Sequence, residues 1–395
     1  MLLSLSYIFL FGLFFSWLCK KVQLPGLLGM LFVGILLGPY CFNLIDSTIL
    51  NISSELRKIA LIIILLRAGL NLDVRDLKKV GVPAILMCFV PACFEMVGMI
   101  LLAPRFLGVS YLEAALMGSV VAAVSPAVIV PKMLQLMNEG YGTKQSIPQL
   151  ILAGASVDDV FVIVMFSAFT SMYQGHGLSL TNFITIPVSI FLGIVVGALF
   201  GTILATYLKK VPVRDTVKVL IILSISFILS TWEDRLPIPF SGLIAIMTMG
   251  IFLQRNLWTV SKCLSRKFDK LWVGAEIVLF VLVGACVNVS YALKAGPAAI
   301  VLIFAVLIFR MMGVFVCLLK TSLTKKERLF CMIAYCPKAT VQAAIGGVPL
   351  AMGFACGQMI LTVAVLSILI TAPLGAFLIE HTYKKFLKKE TEIEN

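Results

Sequence analysis

Asp158 and Asp159 stand side by side within a long, otherwise apolar stretch, and carboxylates so placed can bind hard cations, carry protons or act as an acid–base couple. On a helix, neighbouring side chains diverge by about 100°. The two therefore cannot face each other as a proteolytic aspartate dyad requires, which sets aside intramembrane proteolysis and an enzymatic role. They serve two directions instead: one faces a cation site, the other a neighbouring helix, with Lys338 or polar groups freed at helix breaks as partners. Oxygen ligands suit small hard cations, and Ser125 with loose carbonyls nearby can complete a shell. Burial favours the protonated carboxyl and a nearby cation the ionised one, so proton and metal ion compete for the same oxygens. If the site crosses the barrier only when occupied by one or the other, that competition gives obligatory exchange.

Three further charges, Glu95, Arg310 and Lys338, also fall near the middle of apolar segments. A charge at the bilayer centre costs about 3 kcal/mol on insertion scales, so such residues face a cavity or each other. Glu95 and Arg310 complement each other and can form a bracing ion pair. Three acids against two bases leave one acid over, and that spare acid is the candidate carrier. Arg67 lies about a turn from the end of its segment, where it can snorkel and anchor.

The elements that must position these residues are membrane helices. Of 395 residues, 61% are hydrophobic and 13% charged, far from the composition of soluble domains. A span needs roughly 20 apolar residues. Segments of that kind are expected near 2–19, 26–42, 56–72, 82–103, 111–135, 147–173, 182–208, 216–231, 238–254, 269–290, 295–319, 327–349 and 354–380, about thirteen in all. The apolar start reads as a retained first helix. The net charge of +13 sits in short loops and reports topology rather than nucleic acid. With those spans, five Lys and Arg fall on the N-terminal side and twenty-four on the other, which places the N-terminus outside and the C-terminus in the cytoplasm. Ten cysteines are scattered without paired spacing and only two histidines accompany them, so neither a disulfide framework nor a zinc site is indicated.

The fifth segment is interrupted by Ser125-Pro126 with Pro131 beyond, the twelfth by Pro337-Lys338 with Gly346-Gly347 beyond. Each proline removes a backbone donor, and irregular backbone at mid-depth is tolerated only against protein or a water-filled cavity. The two segments are seven apart, so they cross in opposite directions, and the fourth and eleventh match through Glu95 and Arg310. An inverted repeat with two discontinuous helices is the mark of a secondary transporter.

At these residues the sequence resembles the monovalent cation:proton antiporter superfamily, and most of all its NHA-type sodium/proton exchangers. The resemblance rests on Leu66-Arg67-Ala68-Gly69-Leu70, on Ala123-Val124-Ser125-Pro126-Ala127 with Pro131, on Gly140-Tyr141-Gly142, on Ala155-Ser156-Val157-Asp158-Asp159 and on Pro337-Lys338-Ala339-Thr340-Val341-Gln342-Ala343-Ala344. It implies an all-α polytopic fold of the NhaA-like kind with two crossed discontinuous helices. In that fold core transport helices at 81–175 and 293–381 move, elevator fashion, against dimerisation helices at 1–80 and 211–292, with a linker helix at 176–210 and a cytoplasmic tail at 382–395. It further implies Asp159 as the main cation and proton carrier, with Asp158 and Ser125 beside it, and a homodimer in a bacterial inner membrane. Lys338 matches the lysine at the family's second break. Many bacterial relatives carry a lysine where Arg310 stands here, so the resemblance leaves the charge moved per cycle open.

The expected activity is Na⁺(Li⁺)/H⁺ exchange with no cofactor. The alternatives are K⁺/H⁺ exchange or ion-coupled symport of an organic anion on the same scaffold, the latter kept open by Lys338; a pure channel fits the paired breaks less well.

Overall fold

The computed structural model describes residues 1–22, 24–71, 81–176, 180–211, 213–235 and 240–389. Among them the only regular elements are helices, apart from one isolated backbone bridge between Tyr141 and Lys389. Among the described residues, eight stretches are long and apolar enough to cross a membrane: Leu2–Lys21, Val82–Leu107, Tyr111–Glu139, Ile147–Gln174, Phe191–Lys210, Asp215–Glu233, Gly296–Leu318 and Gly357–Phe386. The other five expected segments also contain helix, either shorter or more polar. The expected boundaries at 80 and 238, and the tail beyond 389, fall outside the described residues.

Two compact units form. The first comprises Met1–Ser54, Arg75–Phe169 and Phe280–Asn395, the second Glu55–Val74 and Thr170–Leu279. In the first unit, α1 (Leu2–Lys21) packs along α2 (Gly26–Leu37). The expected span to residue 42 stops at Leu37 because Gly38, extended at ψ 171°, precedes Pro39, and a residue before proline is pushed out of the helical region. Gly34 of α2 lies against Gly284: a Cβ on Gly34 would stand 2.1 Å from the Val281 carbonyl oxygen, and one on Gly284 2.2 Å from that of Leu31. Only glycine permits that backbone approach. After α3 (Ser47–Asn51) and α4 (Ser53–Asn71), the segment expected as one helix from 82 is two, α5 (Val82–Met87) and α6 (Val90–Leu107). Pro91 occupies the first turn of α6 and has no N–H to give the preceding turn.

The fifth expected segment is α7 (Tyr111–Val121) and α8 (Pro126–Glu139), followed by α9 (Ile147–Ser171), which ends in a π turn. In the second unit α10 (Leu180–Lys210) and α11 (Asp215–Arg235) both pack on α12 (Gly242–Asn256). Arg67, expected to snorkel, pairs there with Asp269. Helix α13 (Trp258–Ala285) leads to α14 (Val289–Leu318). The twelfth segment divides into α15 (Lys325–Ala334), α16 (Thr340–Ile345) and α17 (Val348–Ala351), before α18 (Gly357–Phe386).

Helices α7 and α15 begin alike. Each opens on a capping box, Ser110 with Glu113 and Thr324 with Glu327, the glutamate accepting from the cap's backbone N–H at 2.8 Å in both. Each runs about three turns and then breaks. Reciprocal caps satisfy two of the otherwise unpaired first-turn donors, so both broken stretches start from a fixed end.

Candidate functional site

The two breaks meet. Ser125 N–H donates to the Pro337 carbonyl at 2.8 Å, joining residues 122–125 to residues 335–339. Where a helix stops, its last carbonyls lose their partners, and in an apolar surround each must find another. Here side chains supply them. Gln342 Nε2 donates to the Val121 and Ala123 oxygens at 3.0 and 2.8 Å. The Arg310 guanidinium donates to Ala122 O and, through Nε, to Tyr335 O.

The same guanidinium joins the acids. Its Nη1 lies 2.7 Å from Glu95 Oε2 and its Nη2 2.9 Å from Asp158 Oδ2. Asp158 Oδ2 also accepts from Val124 N–H at 2.8 Å. Lys338 Nζ reaches the same Glu95 oxygen, and its backbone N–H donates to Thr371 Oγ1 at 2.9 Å. Arg310 lies over the Tyr335 ring, 5.1 Å from its centre, while Tyr335 Oη donates to Met87 O at 3.0 Å and so satisfies the end of α5. Arg310, Lys338, Asp158 and Glu95 are at most 1% exposed. One guanidinium thus pairs with two carboxylates and two main-chain carbonyls, a fork geometry that arginine supplies and lysine does not.

These four charges cancel. Asp159 is outside the set: half-buried, it makes no ion pair among the described residues, and its Oδ1 is buried without a hydrogen-bond partner. Ser125 Oγ and Asp158 Oδ1 are likewise buried and unpartnered. Pro126 opens α8, and Pro337 packs against α18, where a Cβ on Gly375 would come within 2.3 Å of its ring.

Every sequence-predicted site residue falls in the first unit, and Glu95, Asp158, Arg310 and Lys338 share one hydrogen-bonded network. Lys338 reaches Glu95 rather than an aspartate. The sequence reading passed over Tyr335 and Thr371 and used Gln342 only as part of the family resemblance; the signal of all three was only that of polar groups in apolar segments. It did not resolve which main-chain groups would be used, since these depend on how the breaks fold.

The sequence profile of the family described as "Sodium/hydrogen exchanger, transmembrane" matches residues 7–385. Sodium/hydrogen exchanger 9B2 of Homo sapiens is 33% identical over 384 residues, covering 93% of this chain and 70% of the relative. Sodium/hydrogen exchanger 9B1 of Homo sapiens is 33% identical over 373 residues, covering 90% and 71%. The sodium proton antiporter MjNhaP1 from Methanocaldococcus jannaschii, solved at pH 8, has a TM-score of 0.86 at 21% identity, covering 97% of each chain, and is similar in fold.

Proposed function

The chain belongs to the transmembrane sodium/hydrogen exchanger family, and from that premise we propose that it is a secondary active Na⁺(Li⁺)/H⁺ antiporter in which cation and proton compete for Asp159. The observation carrying this reading is the charge balance of the site. Arg310 and Lys338 neutralise Glu95 and Asp158, and Asp159 is left with a buried, unpartnered oxygen. An ionised Asp159 alone in that position is costly; one proton or one monovalent cation removes the cost. Either occupant gives a neutral site, and an empty site is held back from crossing.

Asp158, held by Arg310 and Val124, orients the carrier's surroundings, and Ser125 lends an oxygen at the first break. Glu95, Arg310 and Lys338 brace both breaks so that the site moves as one piece. On this reading about thirteen helices span the membrane, the broken pair crosses at mid-depth, and the helices at 81–175 and 293–381 travel against those at 1–80 and 211–292 in a homodimer. The N-terminus is outside and the C-terminus in the cytoplasm of a bacterial cell membrane. The Lys338 ammonium is engaged by Glu95, which removes the feature that favoured an organic anion.

The test is proton flux in proteoliposomes under a clamped potential, with Na⁺, Li⁺ or K⁺ outside. Na⁺ and Li⁺ drive protons out of acid-loaded vesicles and K⁺ does not. Asp159→Asn, which removes the titrating group while keeping size, abolishes that flux; an undiminished rate in the variant overturns the assignment, and a K⁺-driven flux moves it to K⁺/H⁺ exchange.

A further inference from the structure

The second broken stretch carries two oxygen atoms that the charge network leaves unused. Thr340 and Gln342 are 1% and 0% exposed, yet Thr340 Oγ1 and Gln342 Oε1 have no hydrogen-bond partner. Gln342 is not loosely placed. Its amide nitrogen donates to the carbonyls of Val121 and Ala123, which spends both amide hydrogens and fixes the orientation of the remaining oxygen. Val124, the next residue, gives its N–H to Asp158, and Ser125 gives its own to Pro337. The Gln342 amide and the Asp158 carboxylate are thus bonded to main-chain atoms of adjacent residues. Thr340 lies three positions beyond Pro337.

Most of the buried, unpartnered side-chain oxygens among the described residues belong to these breaks and to the aspartates packed on them: Ser125, Asp158, Asp159, Thr340 and Gln342. Leaving a buried acceptor unsatisfied costs about 1–3 kcal/mol. Several such acceptors gathered at one joint are not explained by packing. A bare cation explains them, because it needs oxygen lone pairs and no hydrogens, from neutral as well as ionised groups.

We propose that Thr340 Oγ1 and Gln342 Oε1 are ligands of the transported cation, completing from the second break a shell begun by Asp159, Asp158 and Ser125. This rests on the antiporter reading above and assigns two neutral ligands to it. Neutral oxygens strengthen cation binding without adding a titrating group, so they tilt the competition toward the cation at a given pH. The ion also ties the second break to the first.

The experiment uses Thr340→Val, which keeps shape and loses the oxygen, Thr340→Ser, which restores it, and Gln342→Met. In proteoliposomes Thr340→Val raises KM for Na⁺ about ten- to a hundredfold, by the same factor at each pH, with maximal rate kept; Gln342→Met, which also takes the amide donors from the Val121 and Ala123 carbonyls, raises KM likewise and lowers the maximal rate as well. Thr340→Ser stays near the unsubstituted protein. In detergent, without any flux, the Na⁺ concentration giving half of the cation-induced rise in Tm moves by the same factor, while the cation-free Tm reports folding. Active exchange with unchanged KM and an unchanged Tm response in Thr340→Val and Gln342→Met overturns the ligand assignment and leaves the antiporter standing. A lowered maximal rate at constant KM also overturns it, as a structural role. An unsubstituted protein with no cation-induced Tm rise overturns the assignment; absent flux as well removes the antiporter reading with it.

Discussion

Arg310 is the side chain on which the site's neutrality depends, and its surroundings make it irreplaceable in kind as well as in charge. It bonds to Glu95, Asp158, Ala122 O and Tyr335 O. A lysine keeps the charge but reaches from a single point, so Arg310→Lys leaves buried acceptors open and lowers stability by about 1–3 kcal/mol, the cost of an unsatisfied buried acceptor. Thermal unfolding in detergent checks this, and an unchanged Tm contradicts it. The competition at Asp159 has its own signature. One proton leaves for each cation bound, so on the acid limb the apparent KM for Na⁺ rises about tenfold per pH unit, while maximal rate holds; flux measured over a series of pH values at saturating and limiting Na⁺ reads both. The identity of these charges was legible in the sequence because a charge in an apolar segment is conspicuous. Their partners were not. Lys338 meets Glu95 rather than an aspartate because the break at residues 335–339 bends the chain, and no spacing rule carries across that bend.

At the scale of elements, helix stops at Val121 and Ala334 and resumes at Pro126 and Thr340, beside the prolines from which breaks were expected, since a missing donor is a local property of the sequence. The interruption between α5 and α6 was missed although Pro91 stands beside it, because an apolar run on both sides masks a stop that the Tyr335 hydroxyl satisfies from far along the chain. The matching capping boxes of Ser110 and Thr324 were also there to be read, each opening a helix of about three turns that ends at a break, 11 residues long in one case and 10 in the other. The second break is held from outside by α18, where Gly375 leaves room for the Pro337 ring. Gly375→Leu pushes that ring and with it the Lys338 backbone that bonds to Thr371. Overpacking of this kind costs about 1–3 kcal/mol, and the exchange rate falls with it while Gly353→Ala, where no atom lies within 4 Å of an added Cβ, leaves packing alone and carries only the strain of φ 75°. Sodium-driven flux in both variants compares the two effects.

For the whole molecule, hydropathy led to an expectation of about thirteen spans, against eight among the described residues that are long and apolar enough to cross, and the proposed orientation rests on the distribution of Lys and Arg. Two cysteines can test that orientation. Cys41 is exposed between α2 and α3, and Cys263 lies near the start of α13, partly buried, donating to Asp215 Oδ2 at 2.9 Å. With the other cysteines replaced, a membrane-impermeant maleimide added to intact cells labels Cys41 and spares Cys263, and inverted vesicles give the opposite result. The Asp215 carboxylate that accepts its hydrogen bond, with burial, raises the Cys263 thiol above its ordinary pKa, so less thiolate is present near neutral pH and labelling is slow. Asp215→Asn removes that hold and speeds the reaction; a rate that does not change sinks the assignment.

The bond between Ser125 and Pro337 has a consequence for biogenesis. Ribosomes deliver α7, α8 and α9 to the bilayer well before Arg310, Pro337 and Gln342 exist, yet those later residues are the partners of the carbonyls of residues 121–123 and of the Ser125 N–H. Until they arrive, the earlier half holds open polar backbone at depth, a state that hydrocarbon penalises. Insertion intermediates arrested before Arg310 emerges are therefore wetter and shorter-lived than those arrested after Gln342, and a cell's membrane quality-control proteases meet this protein chiefly in the interval between the two.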